Sequence, residues 1–486
     1  MNREIRRITA VAAAMISALL VACTVIQFGQ AGALRDDARN SRTFYDSFNR
    51  DRGPIMTRGG DVIARSAKVD DDYSYQRSYA NGQLYAPVTG YVTVVGQPTG
   101  LELIENKVLL GTADSLFSIK TRLRDLFTGV EPTGGAVELT IDPASQQAAW
   151  DALGDVRGAA VVLDAKTGEI LALVSKPTFD PNSLAVHDAE AVTETYKSLA
   201  EDPAHPLYNR AIAGDLYAPG STFKLITAAA ALESGDFTAD SQLEAPTALA
   251  LPQSSAKLTN FGDSTCSGSG KMTLAAALTV SCNTAFGWLG LQLGQNQIAQ
   301  QAKKFGFGQE LSIPLYVSPS TFPEKMDQAQ TAMAAIGQFD DKVTPLQMAL
   351  VTAAIANGGQ VMTPRLVRSE RDEDLTVANQ TQAEPLSQAM SEANANILRD
   401  MMVKVAEDGT GRRARVDGVT VGAKTGTAEQ GPGQPPDVWT TAFGEVHGRV
   451  AAVAVVVEDG GAAGAKGSGG TVAAPMAADI LRAVFK

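Results

Sequence analysis

Tyr217-Ala-Pro-Gly-Ser-Thr-Phe-Lys224 is the stretch around which this sequence organises itself. Pro219-Gly220 halts any preceding element, and Ser221 opens an alanine-rich helix running to Ser234. Ser221 and Lys224 are three residues apart, so they share one face of that helix. A neutral amine beside a hydroxyl can take its proton, and burial or a second cation lowers a lysine pKa towards that state. The helix N-terminus also offers backbone N–H groups to a developing oxyanion. Alone, Ser-x-x-Lys reads more simply as a helix cap beside a solvated lysine, so the chemistry needs partners.

Two downstream motifs supply them. Ser281-Cys-Asn283 lies between the apolar runs Met272–Val280 and Thr284–Leu293. A polar trio wedged between buried helices must be satisfied or functional. Ser281 can relay a proton, and Asn283 can hold a substrate amide through both its donor and its acceptor. Lys424-Thr-Gly426 lies in a β-run over Val419–Ala428. Strand alternation puts Thr425 and Thr427 on one face, and Gly426 permits close approach of a ligand to the backbone. Two hydroxyls with an ammonium nearby make a receptor for a carboxylate, and Lys424 is also the candidate second cation for Lys224. Nucleophile, base, relay and carboxylate grip together describe a serine acyl-transfer enzyme that needs no histidine.

Decoys show that order and context carry the signal. Ser254-Ser-Ala-Lys257 follows Pro252 in a polar loop, and Ser47-Phe-Asn49 lies near the N-terminal apolar run. Lys166-Thr-Gly168 joins two apolar runs, Ala159–Leu163 and Ile170–Val174, and reads as a hairpin turn with Gly168 at positive φ.

The chain has 486 residues, 44% hydrophobic and 19% charged, a globular balance that predicts two or three domains. Its formal net charge of −12, with no basic stripe, argues against nucleic acid as a partner. The three histidines, His187, His205 and His447, show no metal-pair spacing, and no Gly-x-Ser-x-Gly elbow or phosphate loop occurs. No metal or cofactor is expected.

No charged residue stands between Ile8 and Leu34. That run is long enough for a bilayer-crossing helix, and Arg3, Arg6 and Arg7 before it predict a cytoplasmic N-terminus with the bulk outside. A cleaved signal peptide, or a lipoprotein box at Leu20-Val-Ala-Cys23, are the alternative readings. Export would let Cys266 and Cys282 pair; a disulfide and two buried thiols both stay open.

The expected layout is an anchor over 1–34, a small mixed domain over 35–135 and a catalytic domain over 136–486. Within the first domain, 33–49 reads as a helical connector, 73–95 as short strands and 101–127 as a weakly amphipathic helix, with Gly134-Gly135 as the junction. Beyond it, Val137–Ile141 reads as a strand and 144–153 as a helix. Helices fill 209–410, β-runs return over 419–458, a glycine-rich flexible loop spans 460–470, and a helix closes the chain. The fold class is α/β in the α+β sense: a sheet assembled from both ends of the region, with a helical insertion between.

Together with Arg52-Gly-Pro-Ile55, Leu139-Thr-Ile-Asp142, Gly337-Gln338, Val343-Thr-Pro-Leu-Gln347 and Lys424-Thr-Gly-Thr-Ala-Glu429, the motifs resemble those of class B penicillin-binding proteins. Within that class, the short N-terminal domain and alanine-rich composition are most similar to the penicillin-binding protein A group of actinobacteria. The resemblance implies a penicilloyl-serine transferase fold, an antiparallel sheet flanked by helices with a helical subdomain. It implies a membrane-bound D,D-transpeptidase that cross-links peptidoglycan stem peptides through an ester on Ser221 and is acylated by β-lactams.

By the same resemblance Lys224 is the base, Ser281 and Lys424 the relay, and Asn283 a substrate contact. Thr425 and Thr427 bind the terminal carboxylate, and the N–H groups of Ser221 and Thr427 form the oxyanion hole. A glycan polymerase of the SEDS family and other cell-wall synthesis or divisome proteins are the implied partners. Cys282 is an unusual middle residue for the Ser-x-Asn motif. The rival readings are a D,D-carboxypeptidase, a serine β-lactamase, and a non-catalytic β-lactam receptor or scaffold.

Overall fold

The computed structural model describes residues 3–30, 41–113, 133–214, 216–431 and 433–486. The start of the expected connector at 33–40, the 34/35 division and the end of the expected helix at 114–127 lie outside them.

An α-helix over Arg3–Thr24 runs into a π-helical turn over Val25–Gly29, and no residue of the α-helix is buried. The 25-residue span Arg3–Gln27 is long and apolar enough to cross a membrane.

Six strands form the first sheet, in the order Val377–Gln380, Val367–Arg371, Ala136–Leu139, Ile55–Met56, Val62–Lys68 and Tyr75–Tyr79. Its centre, Ala136–Leu139, is wholly buried, parallel to Ile55–Met56 and antiparallel to Val367–Arg371. The sheet thus draws on both sides of the 135/136 division. The glycine pair there is a point of tight packing: a Cβ on Gly134 would lie 1.8 Å from Leu109 O. Beside it Glu102 is buried between Arg52 and Arg77, whose Nε atoms lie 2.5 and 2.6 Å from its two oxygens. Burial pushes the Glu102 carboxyl up, but the two guanidinium groups outweigh it and hold it below the usual range. Arg52 of the Arg-Gly-Pro-Ile stretch therefore pins the small domain internally.

The second sheet is antiparallel throughout, in the order Thr420–Ala428, Asp437–Val446, Arg449–Val457, Gly158–Asp164 and Ile170–Lys176. It joins both ends of the catalytic region, as the sequence pattern predicts. Period-two alternation divides each strand between two cores. Ala159, Val161 and Leu163 face the helical subdomain, whereas Ala160 and Val162 face the helices Pro143–Leu153 and Ala474–Val484. Asp142 caps the first of these, accepting from Ser145 N at 2.9 Å. Thr344 caps the buried helix Pro345–Ala356 in the same way, accepting from Gln347 N at 3.1 Å.

The glycine-rich segment 460–470 is a succession of tight turns, with Gly460, Gly461 and Gly464 at positive φ, followed by a π-helical turn over Gly469–Ala473. A Cβ on Gly469 would lie 2.1 Å from Trp439 O and 2.5 Å from Gly426 O, so glycine there serves backbone-to-backbone packing over the catalytic strand.

Candidate active site

Ser221 sits in a single 3-10 turn, Gly220–Phe223, that leads into the helix Lys224–Ser234. The turn is held from several sides. Gly220 N donates to Gly337 O at 3.0 Å, and Trp439 Nε1 donates to Ala218 O at 3.1 Å. The Tyr217 hydroxyl donates to Glu458 Oε1 at 2.7 Å, and Glu458 is itself paired with Arg210 at 2.8 Å. Every residue from Lys224 to Leu232 is buried, so the helix is a central core element and Lys224 enters the core with it.

Lys224 Nζ lies 2.7 Å from Ser281 O, 2.7 Å from Asn283 Oδ1 and 3.3 Å from Ser281 Oγ. Lys424 Nζ lies 2.8 Å from Ser281 Oγ and 2.8 Å from Thr425 O. Both lysines are fully buried, and neither has an acid partner among the described residues. Burial, then the charge of Lys424, pushes the Lys224 amine well below its ordinary value. Burial pushes Lys424 down to about 7. A neutral Lys224 has two hydrogens for Ser281 O and Asn283 Oδ1, which leaves its lone pair to the neighbouring hydroxyls.

Ser281 has φ of +59°, a left-handed conformation usually filled by glycine. It ends the helix Leu274–Thr279: Cys282 N donates to Ala277 O at 2.9 Å and Ser281 N to Leu278 O at 3.1 Å, a Schellman pattern. A serine thus occupies a glycine position, with its hydroxyl between two amines. Asn283 opens the next helix, Asn283–Lys304. Cys282 supplies no side-chain cap; Asn260 does, its Oδ1 accepting from Asn283 N at 2.9 Å and Thr284 N at 3.1 Å. Cys266 and Cys282 are joined by a disulfide, a second tie between the 260–266 loop and the motif. The Asn283 side chain is partly committed internally. Oδ1 accepts from Lys224 and Nδ2 donates to Thr259 O at 3.1 Å, so one amide hydrogen is left for a ligand rather than the full donor–acceptor grip expected.

Thr420–Ala428 is the edge strand of its sheet. Gln338 Nε2 donates to Thr427 O at 3.2 Å, so that carbonyl faces away from the neighbouring strand. A strand residue's N–H and C=O point to the same edge, so the Thr427 N–H also faces outward. The Thr425 and Thr410 hydroxyls share a hydrogen bond of 2.6 Å. The close neighbour that Gly426 admits is the protein itself, since a Cβ there would lie 3.0 Å from Thr222 Cγ2 and 3.1 Å from Pro219 O.

Ser221, Ser281, Asn283, Thr425, Gly426 and Thr427 line one cleft of about 880 Å³. No histidine lines it among the described residues. Of the decoys, Lys166-Thr-Gly168 is the hairpin turn expected, with Gly168 at φ +72°, and Ser47-Phe-Asn49 is a 3-10 turn of the N-terminal part. Lys257 reaches the cleft rim, on a short strand Lys257–Thr259. Asn260 and Thr410 went unread in the sequence because a lone polar loop residue carries no local signal.

Two family models match: the penicillin binding protein transpeptidase domain over residues 158–482, and the penicillin binding protein A dimerisation domain over residues 52–137. The chain is 43% identical to the peptidoglycan D,D-transpeptidase PbpA of Mycolicibacterium smegmatis, covering 100% of this chain and 99% of that one. It is 41% identical to the protein of that name from Mycobacterium tuberculosis, with the same coverage. Penicillin-binding protein A of M. tuberculosis superposes with a TM-score of 0.87 in its ceftriaxone acyl-enzyme complex, at 39% identity over 91% of this chain and 100% of that one. The penicillin G acyl-enzyme complex gives a TM-score of 0.85 at 40% identity, over 90% and 100% of the two chains. The chain belongs to the penicillin-binding protein transpeptidase family.

Proposed function

We propose that this protein is a membrane-anchored peptidoglycan D,D-transpeptidase with Ser221 as its nucleophile. The observation that carries the reading is the convergence of two buried, unpaired lysines on the Ser281 hydroxyl, one of them a helical turn from Ser221. Lys224, held neutral, takes the Ser221 proton as Oγ attacks the carbonyl of the penultimate D-alanine of a stem peptide. The outward N–H of Thr427 and the N–H of Ser221 stabilise the oxyanion. As the tetrahedral species collapses, the proton passes through Ser281 and Lys424 to the departing amine. Terminal D-alanine leaves and an ester remains on Ser221. An amine of a second stem then attacks that ester and releases Ser221 with a new cross-link. Thr425 and Thr427 hold the terminal carboxylate, and Asn283 offers its remaining amide hydrogen to the substrate backbone. A β-lactam opens on Ser221 but keeps its leaving group tethered, which blocks the second step.

The division into an anchor over 1–34, a pedestal over 35–135 and a transpeptidase domain over 136–486 belongs to the same reading, with one sheet shared across the last junction. The catalytic domain lies outside the cell membrane, in accord with Arg3, Arg6 and Arg7 ahead of the apolar span. The anchor and pedestal are the surfaces we assign to a SEDS-family glycan polymerase and other cell-wall synthesis proteins.

Intact-protein mass after exposure to benzylpenicillin tests the reading. One penicilloyl adduct is expected on the unmodified protein and none on folded Ser221→Ala. An adduct that persists in the variant would remove Ser221 from the mechanism.

A further inference from the structure

The turn after the helix Glu392–Glu407 carries Thr410-Gly-Arg-Arg413. It is rigidly mounted. Thr410 N donates to Thr279 O at 3.2 Å and Gly411 N to Val405 O at 3.1 Å, while the Thr410 hydroxyl meets Thr425 at 2.6 Å. The turn therefore connects the carboxylate-gripping strand to the helix that ends in Ser281. Arg412 and Arg413 extend from it, exposed to solvent, and line the cleft that holds Ser221.

Their electrostatic state differs from that of the more buried arginines of the fold. Arg52, Arg77, Arg210 and Arg365 each pair with a glutamate. Among the described residues neither Arg412 nor Arg413 has an acid partner. Arg413 makes one long hydrogen bond, to Thr471 O at 3.4 Å across the cleft. Asp263 and Glu429 also line the cleft, but neither pairs with the arginines. The whole chain carries a net charge of −12, so its overall field repels an anionic peptide, and two unpaired guanidinium groups at the cleft oppose that field locally. A guanidinium at the rim of a cleft attracts a carboxylate chiefly through its charge.

We propose that Arg412 and Arg413 form an anion subsite at the Thr425 end of the cleft, which binds a carboxylate of the incoming stem peptide. This rests on the transpeptidase reading of the cleft. The carboxylate is either the terminal one, on its way to Thr425, or one borne by a side chain of the stem. Either way the arginines act in binding and steering rather than in bond-making.

The test uses the full-length protein in detergent micelles and the variant Arg412→Gln/Arg413→Gln, with Arg412→Lys/Arg413→Lys as the charge-keeping control. Three substrates are compared: two peptides ending in D-Ala-D-Ala that differ only in a side-chain carboxylate against its carboxamide, and benzylpenicillin. A loss of about three- to tenfold is expected in the Gln pair, in kcat/KM through KM for the peptides and in the second-order acylation rate constant for benzylpenicillin, with a shallower salt dependence and recovery in the Lys pair. A loss confined to the carboxylate peptide identifies the side-chain source. A loss on all three substrates identifies the terminal one. Unchanged kinetics and salt dependence, or an equal loss in the Lys pair, overturn the subsite. Failure of the unmodified protein to acylate at Ser221 would overturn the transpeptidase reading first, and the subsite with it.

Discussion

The Lys424 amine donates to the Ser281 hydroxyl across 2.8 Å, inside a core that offers it no counter-ion among the described residues. With its pKa near 7, Lys424 changes charge close to neutrality, and in doing so sets the field felt by Lys224.

That coupling gives the acylation rate a bell-shaped dependence on pH. The acid limb reports protonation of Lys224, and the alkaline limb, at about pH 7, reports loss of the Lys424 proton. Lys424 lowers the Lys224 pKa, so removing its charge in Lys424→Met raises that pKa and moves the acid limb to higher pH. Benzylpenicillin acylation rates across pH check this, and an unmoved acid limb in the variant would refute the coupling.

The same burial has a stability signature. Between about pH 7 and 10 the unfolded chain keeps a proton on Lys424 that the folded protein has lost. Stability contributed by this site therefore rises with pH through that window. At pH 7 and below, where the folded protein confines a desolvated ammonium, Lys424→Met should raise Tm by about 2–4 °C while slowing acylation to a reduced but measurable rate. Calorimetry at pH 6 and pH 9 tests it: the gain should shrink at the higher pH.

Ser281 supplies a separate dissection of backbone and hydroxyl. Ser281→Gly relieves the left-handed strain, and Ser281→Ala retains it. The Gly variant should be more stable than the Ala variant by about 0.5–1 kcal/mol, with both losing about 100-fold or more in acylation. Equal denaturation midpoints would mean that the backbone there is not strained.

Asn260 should prove more important than its loop position indicates. Asn260→Ala strips the borrowed cap from the helix Asn283–Lys304 and should cost about 1–2 kcal/mol, with a parallel fall in acylation as the motif loosens. Asn260→Asp keeps the acceptor and should restore most of both. A stable, fully active Ala variant would leave the disulfide as the main tie.

The three motifs were legible because each is a short polar group where the surrounding pattern demands apolar residues. Lys224 is the clearest case, lying inside nine consecutive buried residues. The second sheet was legible from its apolar, β-rich runs and from the Asp164–Gly168 turn. The rest was hidden for identifiable reasons. Asn260 and Thr410 act on residues far along the chain, which no local period records. Ser281 as a helix-ending residue was masked because serine is a poor predictor of left-handed backbone. Glycine at 134 and at 469 signals a junction and a flexible loop in the sequence; that both also sit against neighbouring backbone is invisible there, because the contact partners are distant in the chain.

The first sheet carries a practical consequence for anyone preparing a soluble form. Its central strand, Ala136–Leu139, takes one neighbour from residues 55–56 and the other from residues 367–371. A fragment cut at the apparent junction would strip that strand of a partner and leave a row of naked amide and carbonyl groups, open to the next molecule in solution. Truncation just past the N-terminal apolar helix avoids creating such a sticky margin.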